Sequence, residues 1–273
     1  MPIGLARAAT ALISFAVLLA GTGLAAAQSS ICQAIVEERG TPKPVPVGYR
    51  AAALAADEVS ITYVGHSAFR ITSPQGVAVV TDYAGYFGDG PPPDVVTMNH
   101  AHSSHYTSSP DPGIAHVLRG WNPDGEDPAR HRVEVGDMYI RNVTTDLYYE
   151  TLMREKDGNS IFIFEVAGLC IGHLGHLHHK LTPEHIAEIG RIDILFLPVD
   201  GNYTMSIAGM IELAEQVRSS MVIPMHYFST FTLQRFVAGM SEKFETQVAQ
   251  SNTVTVSLKT LPQSPTVMVL SPY

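Results

Sequence analysis

Residues 95–109 read VVTMNHAHSSHYTSS, an apolar, β-branched run that ends in three histidines within six positions, His100, His102 and His105. The run predicts a buried strand, which puts the histidines at its C-terminal exit. Imidazole is a common zinc donor, and two histidines one residue apart in an extended turn can aim at one point. The spacing therefore supplies two or three convergent nitrogens. A polar loop that merely happens to be rich in histidine is the plainer alternative.

Further stretches repeat the arrangement. IGHLGHLHHKLTPEH, residues 171–185, also follows an apolar strand and carries His173, His176, His178 and His179 beside a glycine-rich bend. Not all of these are expected to point into a pocket, and Lys180 and His185 are read as facing solvent. In VIPMHY, His226 ends another buried strand. Strand ends on one edge of a sheet converge on the same cleft, so these histidine-bearing exits point to one site. His116 and His131 stand alone and are read as ordinary.

The rest of the chain supplies the layers. VSITYVG, AFRITS and GVAVVTD precede the opening stretch as short strands; HRVEVGDMYIRNVTT, SIFIFEVAG and LCIGHLG follow it, with Gly168 at a hairpin turn. Residues 83–94 and 107–130 read as long loops that shape a pocket rim. Beyond them strands and helices alternate. TPEHIAEIG starts a helix at the N-cap residue Thr182, with Glu184 in its first turn. IDILFLPV and MVIPMHY are apolar strands, MSIAGMIELAEQVRSS and LQRFVAGMSEKF have helical periodicity, and TVTVSL and TVMVLS close the chain. A strand-rich half followed by a strand/helix half predicts an α+β sandwich of sheets with outer helices.

A chain of 273 residues, 45 % hydrophobic and 16 % charged, is enough for one large globular domain. The net charge of −9 and the lack of any Lys/Arg cluster argue against nucleic acid, which needs a basic footprint, and leave a small molecule as the expected partner. Residues 1–27 read as a signal peptide. Arg7 precedes ATALISFAVLLAG, which is short for a bilayer span, and Ala25-Ala26-Ala27 offers a cleavage site. Residues 28–58, with the Pro-rich TPKPVPVG, read as an extension or linker, and 59–273 as the domain. The expected location is a bacterial periplasm, without stable membrane association after cleavage. Export permits a disulfide between Cys32 and Cys170, but Cys170, inside the apolar GLCIG, reads rather as a buried thiol.

In order, ITYVGHSAF, TDYAG, VVTMNHAHSSHY, GHLGHLHHKLTPEH, DILFLPVDGNYT and VIPMHY resemble the metallo-β-lactamase superfamily, and within it the ascorbate-6-phosphate lactonase-like branch. The resemblance runs from about Val59 to Tyr227 and implies a four-layer αββα sandwich with one or two metals, usually zinc, between the sheets. His100 and His102 match the histidines of the first metal, and His105 and His226 those of the second. Asp82 matches a carboxylate that orients a ligand through a hydrogen bond. His66 and Tyr203 match positions near the cleft, although a turn histidine and a packed aromatic would fit there equally.

Departures from the family pattern are specific. The family reads His-x-His-x-Asp-His, and Ser104 stands at the aspartate; His176 stands where a bridging aspartate follows glycine. A further first-metal histidine is absent from DLYYETLMREKDGN, where Tyr148 or Tyr149 falls. Two divalent ions repel unless anionic ligands offset the repulsion. This donor set therefore predicts one ion on His100, His102 and His176, with His105 or His226 as a further ligand. All-imidazole ligation accepts copper or nickel as well as zinc. The implied function is an exported metal-dependent hydrolase that uses a metal-bound water on an ester, lactone, amide or phosphoester small molecule. No side chain is assignable as general base. A non-catalytic metal- or ligand-binding protein on the same scaffold is the alternative, and oligomeric state is not readable.

Overall fold

The computed structural model describes residues 1, 30–33, 54–125, 127–148 and 154–271. The expected signal peptide beyond Met1, most of the expected extension, and Tyr149 lie outside the described residues.

A six-stranded sheet contains β1 (Val59–Gly65), β2 (Ala68–Thr72), β3 (Ala78–Val80), β4 (Val95–Met98), β5 (His116–Arg119) and β13 (Thr253–Val256), in the order β13-β1-β2-β3-β4-β5. An eight-stranded sheet contains β6 (Arg132–Val135), β7 (Met138–Tyr148), β8 (Arg154–Val166), β9 (Leu169–His173), β10 (Ile194–Pro198), β11 (Met221–Met225), β12 (Glu245–Val248) and β14 (Thr266–Val269), in the order β12-β14-β11-β10-β9-β8-β7-β6. The helices are α1 (Pro183–Ile189), α2 (Ile207–Val217) and α3 (Thr230–Met240).

The period of two along each strand explains the layering. On β1, Val59, Ile61 and Tyr63 turn inward, and with Phe69 they meet Phe162, Phe164, Phe196 and Ile223 between the sheets. Phe69 stacks on Phe196 with ring centroids 4.1 Å apart. Strands β9, β10 and β11 are buried at every position because both of their faces are covered. One face meets the other sheet; the opposite face, with Leu195, Leu197 and Val222, packs on Met210, Leu213 and Phe236 of the helices. Each such fully buried side chain contributes roughly 1.5–3 kcal/mol. Behind β3 and β4, Val80, Val96 and Met98 are covered by Tyr83, Ile114, Tyr106 and Trp121. Among the described residues that outer layer is loop, whereas the helices lie against the eight-stranded sheet.

Three local readings change. Residues 107–130 are not all loop, since they contain β5, and none of them lines the cavity described below. Helix α3 begins at Thr230, ahead of Leu233. Cys170 is no free thiol: it is bonded to Cys32, 138 positions away. The bond pins Ser30–Gln33 to the domain, where the Ile31 N–H donates to Glu165 Oε2 at 2.8 Å and Arg141 Nε donates to Glu165 Oε1 at 2.8 Å. At least that part of the extension is docked on the domain.

Candidate metal centre

Strands β3 and β4 are parallel neighbours in one sheet, and β9, β10 and β11 in the other. Their C-terminal exits gather Asp82, His100–His105, His176, Asp200 and His226 beside the β1–β2 turn that carries His66. The backbone is strained where the site is built: His66, Asp82 and His226 take the left-handed conformation with φ of 54, 51 and 54°. Such conformations cost about 1–3 kcal/mol each in residues other than glycine and persist only where surrounding contacts enforce them. Here the His226 N–H donates to the His66 carbonyl at 2.9 Å, and the Tyr63 hydroxyl donates to the same oxygen at 3.0 Å.

The imidazoles form one cluster. Ring centroids lie 4.4 Å apart for His66–His226, 5.2 Å for His66–His105 and 5.1 Å for His105–His226. One ligand atom from each of these three lies within 4.8 Å of the others. His176 sits 4.8 Å from His105 and 5.1 Å from His226, and His100 sits 5.4 Å from His176. His102 stands at the margin: it is exposed, about 6 Å from His100 and His105 (6.1 and 6.0 Å), and its Nδ1 bonds the Ser104 hydroxyl at 2.8 Å. Ser104, at the aspartate position of the motif, therefore serves His102. The group whose ligand atoms converge is His66, His105 and His226, which takes in the expected His105 and His226 and adds His66.

Hydrogen bonds orient the rings. His105 Nδ1 donates to Asp82 Oδ2 at 2.6 Å and His226 Nδ1 donates to Asp200 Oδ2 at 2.9 Å, which leaves the Nε2 lone pair of each ring free. Asp82 thus has the orienting role that the resemblance implied. Asp200 escaped the sequence reading. It also accepts from the backbone N–H groups of Asn202, Tyr203 and Thr204 at 2.9, 2.6 and 3.0 Å, a nest visible in sequence only as an aspartate after an apolar strand. His100 Nδ1 bonds the Gly158 carbonyl at 3.2 Å. His176 Nδ1 bonds His178 Nε2 at 2.9 Å, and His178 Nδ1 in turn bonds the Tyr148 carbonyl at 2.8 Å. Gly175 has φ of 61°, and a Cβ there would collide with Asn159 Oδ1, the atom that accepts from the His176 N–H at 2.7 Å.

His173, His179, His185 and His131 have other partners. His173 is wholly buried and bridges the sheets, donating from Nε2 to the Ser67 carbonyl at 2.7 Å while Nδ1 accepts from Asn99 Nδ2 at 3.2 Å. His179 Nδ1 bonds the Lys180 carbonyl at 2.8 Å. His185 closes the capping box of α1 with Thr182, and His131 Nε2 bonds the Arg119 carbonyl at 2.6 Å.

Electrostatics separates the rings. Burial holds His66 and His100 down to about 4 and His176 down to about 2. Burial also opposes the charged forms of His105 and Asp82, but their mutual attraction and hydrogen bond prevail, raising His105 and lowering Asp82 to about 2. Burial works against the Asp200 anion too, yet its bonds to His226, Thr204 and the backbone N–H groups hold it below the carboxylate range. The site therefore offers several neutral imidazoles at close range, and His66 Nε2 is buried without a hydrogen-bond partner. The orphaned His66 nitrogen, beside neutral His100 and His176 and the carboxylate-bonded His105 and His226, fits a divalent cation. A cavity of about 300 Å³ opens beside it, lined by Val64, Ala68, Ala84 and Tyr86 as well as His66, Asp82 and Ser104.

Comparison with known proteins agrees with this architecture. The family model of the β-lactamase superfamily domain matches residues 60–226, more than half of the chain. A UPF0173 metal-dependent hydrolase of Methanosphaerula palustris is 24 % identical over 200 residues, covering 68 % of this chain and 91 % of the relative. Another from Archaeoglobus fulgidus is 35 % identical over 88 residues, covering 30 % and only 38 % respectively. Among solved structures, a Thermotoga maritima protein assigned as a Zn-dependent hydrolase of the metallo-β-lactamase superfamily is 28 % identical with a TM-score of 0.56, over 78 % of this chain and 98 % of that one. A metallo hydrolase from Ignicoccus hospitalis, 19 % identical with a TM-score of 0.54 over 74 % and 99 %, shares the fold. The family match spans the strands whose exits gather these imidazoles, and with it the chain belongs to the metallo-β-lactamase superfamily.

Proposed function

We propose that this protein is an exported hydrolase that depends on a single divalent ion, zinc before copper or nickel, and acts on an ester, lactone, amide or phosphoester small molecule. The observation that carries the reading is the convergence of His66, His105 and His226 beside the cavity. These three residues would hold the ion, with His100 and His176 as neighbouring donors. A divalent cation supplies Lewis acidity and lowers the pKa of water. Asp82 and Asp200 retain the Nδ1 protons of His105 and His226 and so keep both Nε2 atoms available. Asp82 Oδ1 is buried without a hydrogen-bond partner, so the carboxylate keeps an unused acceptor behind His105. The preference for one ion rests on the donors themselves: the cluster is imidazole, and both nearby carboxylates bond histidine nitrogens. The N-terminal signal-like segment and the Cys32–Cys170 bond support export, because disulfides persist in oxidising compartments.

Elemental analysis of the purified mature protein and its His226→Ala variant, together with assays on ester, lactone and phosphodiester substrates, tests the reading. About one equivalent of metal, lost in the variant, with metal-dependent turnover is the expected result. Metal retained without turnover of any class would replace it with the non-catalytic binding role. No metal after reconstitution would overturn both.

A further inference from the structure

We infer that the molecule bound at this centre carries an apolar acyl or aryl group, seated on a rim made by Phe228, Tyr203 and Tyr86. The inference rests on the hydrolase reading for its chemistry, but its own basis is the surface around the cluster. Phe228, Tyr203 and Tyr86 are 65 %, 62 % and 62 % exposed, high for large rings that adjoin the cluster or line its cavity. Phe228 adjoins the imidazoles, Tyr203 adjoins Phe228, and Tyr86 lines the cavity with His66. The Phe228 ring lies 5.3 Å from His226 and 5.5 Å from His66, and Tyr203 meets Phe228 edge-on at 5.6 Å. His66 also lines the cavity, together with Val64, Ala68, Ala84 and Tyr86.

Rim and centre share a support. The Asp200 carboxylate that orients His226 also accepts from the Tyr203 backbone N–H at 2.6 Å, so the ring of Tyr203 projects from the turn that sets the ligand. Charge narrows the class further. Among the described residues no lysine or arginine lines the cavity, in a chain of net charge −9. Sites that recognise phosphate ordinarily present arginine, lysine or a row of backbone N–H groups to its oxygens. A carbonyl compound with an apolar substituent fits this surface, whereas a phosphoester would depend on the ion alone for countercharge. Of the substrate classes proposed above, the rim selects esters, lactones and amides.

Burying each added CH₂ is worth about fourfold in affinity, so a chain lying along the rim is expected to separate hexanoate from acetate by at least about tenfold. The test is calorimetric titration of the metal-reconstituted mature protein with acetate, hexanoate and inorganic phosphate, accompanied by turnover of 4-nitrophenyl acetate and hexanoate. Variants are Phe228→Ala, Tyr203→Ala and, as a control, Phe231→Ala, which removes a ring of similar exposure (64 %) that packs on Arg235 instead. A hexanoate preference that falls below about threefold in Phe228→Ala and survives in Phe231→Ala supports the rim. Equal binding of the two acids, a preference that persists without Phe228 and Tyr203, or phosphate binding tighter than hexanoate overturns it. The two proposals fail separately. Chain-length-dependent binding without turnover of either ester would sink the hydrolase reading and keep the apolar-ligand site. Turnover indifferent to chain length, with equal binding of the two acids, would do the reverse.

Discussion

His105 and His226 differ from His100 and His176 less in position than in what stands behind them. The rings of the first pair are 5.1 Å apart and those of the second 5.4 Å, within one cluster. Behind the first pair stand Asp82 and Asp200, both buried; behind the second stand a backbone carbonyl and a third imidazole. An anionic partner raises the basicity of the opposite ring nitrogen, and a neutral partner does so much less. The difference also explains how the site tolerates Ser104 and His176 at positions where the family has carboxylates. On the proposed reading, the negative charge that offsets a cation would be supplied one shell further out, through the Nδ1 atoms of His105 and His226. On that reading the ion would accordingly lie toward His66, which sits against that pair.

The largest expected effect breaks the pair with carboxylates. His226→Ala or His105→Ala should lower metal affinity by more than about 100-fold, beyond the range for losing an outer partner, whereas His100→Ala should cost about tenfold or less. Competition with a chelator of known affinity measures both. Equal losses in the two pairs would show that the backing carboxylates do not decide where the metal sits. Next in size is removal of the charge alone. Asp200→Asn and Asp82→Asn should each weaken metal binding by about 10–100-fold. Asparagine tolerates the left-handed backbone of residue 82, so the change isolates charge from strain. An unchanged affinity in both variants would reduce these carboxylates to structural parts.

How much of this could be read from the sequence depends on where the physical signal lies. Strands such as β1, with its strict alternation, and β10, apolar throughout, announce themselves because burial dictates their composition. Strand β12, ETQV, is exposed at every position, so no core-facing pattern marks it. The same logic divides the site. His100, His102, His105, His176 and His226 stand out by density or by following buried strands. Yet His102 lies at the margin of the imidazole cluster and His66 within it, because the turn's direction is set by φ at residues 65 and 66 and by bonds to nearby Tyr63 and distant His226. Asp200 and the Cys32–Cys170 bond were hidden for a related reason: each is defined by a partner far along the chain.

The third expected effect separates His105 from the neutral rings by sign in metal-free protein. His66 and His100 titrate near 4 and His176 near 2 in the fold, against 6.5 in the unfolded chain. Between pH 6.5 and 4 the unfolded chain therefore binds protons that the folded one refuses, and stability falls as pH falls through that window. His105 is raised by Asp82, so its contribution is present below pH 6.5 and is lost as pH rises through its higher folded value. Urea midpoints of apo protein at pH 5 and 7 should show a deficit at pH 5 that shrinks in His100→Gln and persists in His105→Gln. A deficit unaffected by His100→Gln would mean that His100 is not held neutral by burial.

The smallest effect concerns the neutral pair's own support. His176 is oriented by His178, which is fixed in turn by the Tyr148 backbone. If the metal centre lies with the carboxylate-backed pair, that relay positions a neighbouring donor, and His178→Ala should change metal affinity by no more than about threefold, well under the cost of losing a carboxylate partner. The ring would lose its fixed tautomer, however, so the His176 imidazole nitrogen resonances in NMR should broaden or shift while those of His105 and His226 stay in place. A loss in His178→Ala as large as in Asp200→Asn would erase the distinction between the pairs. It would return the centre to His100 and His176, with a chain of imidazoles doing the work here ascribed to Asp82 and Asp200.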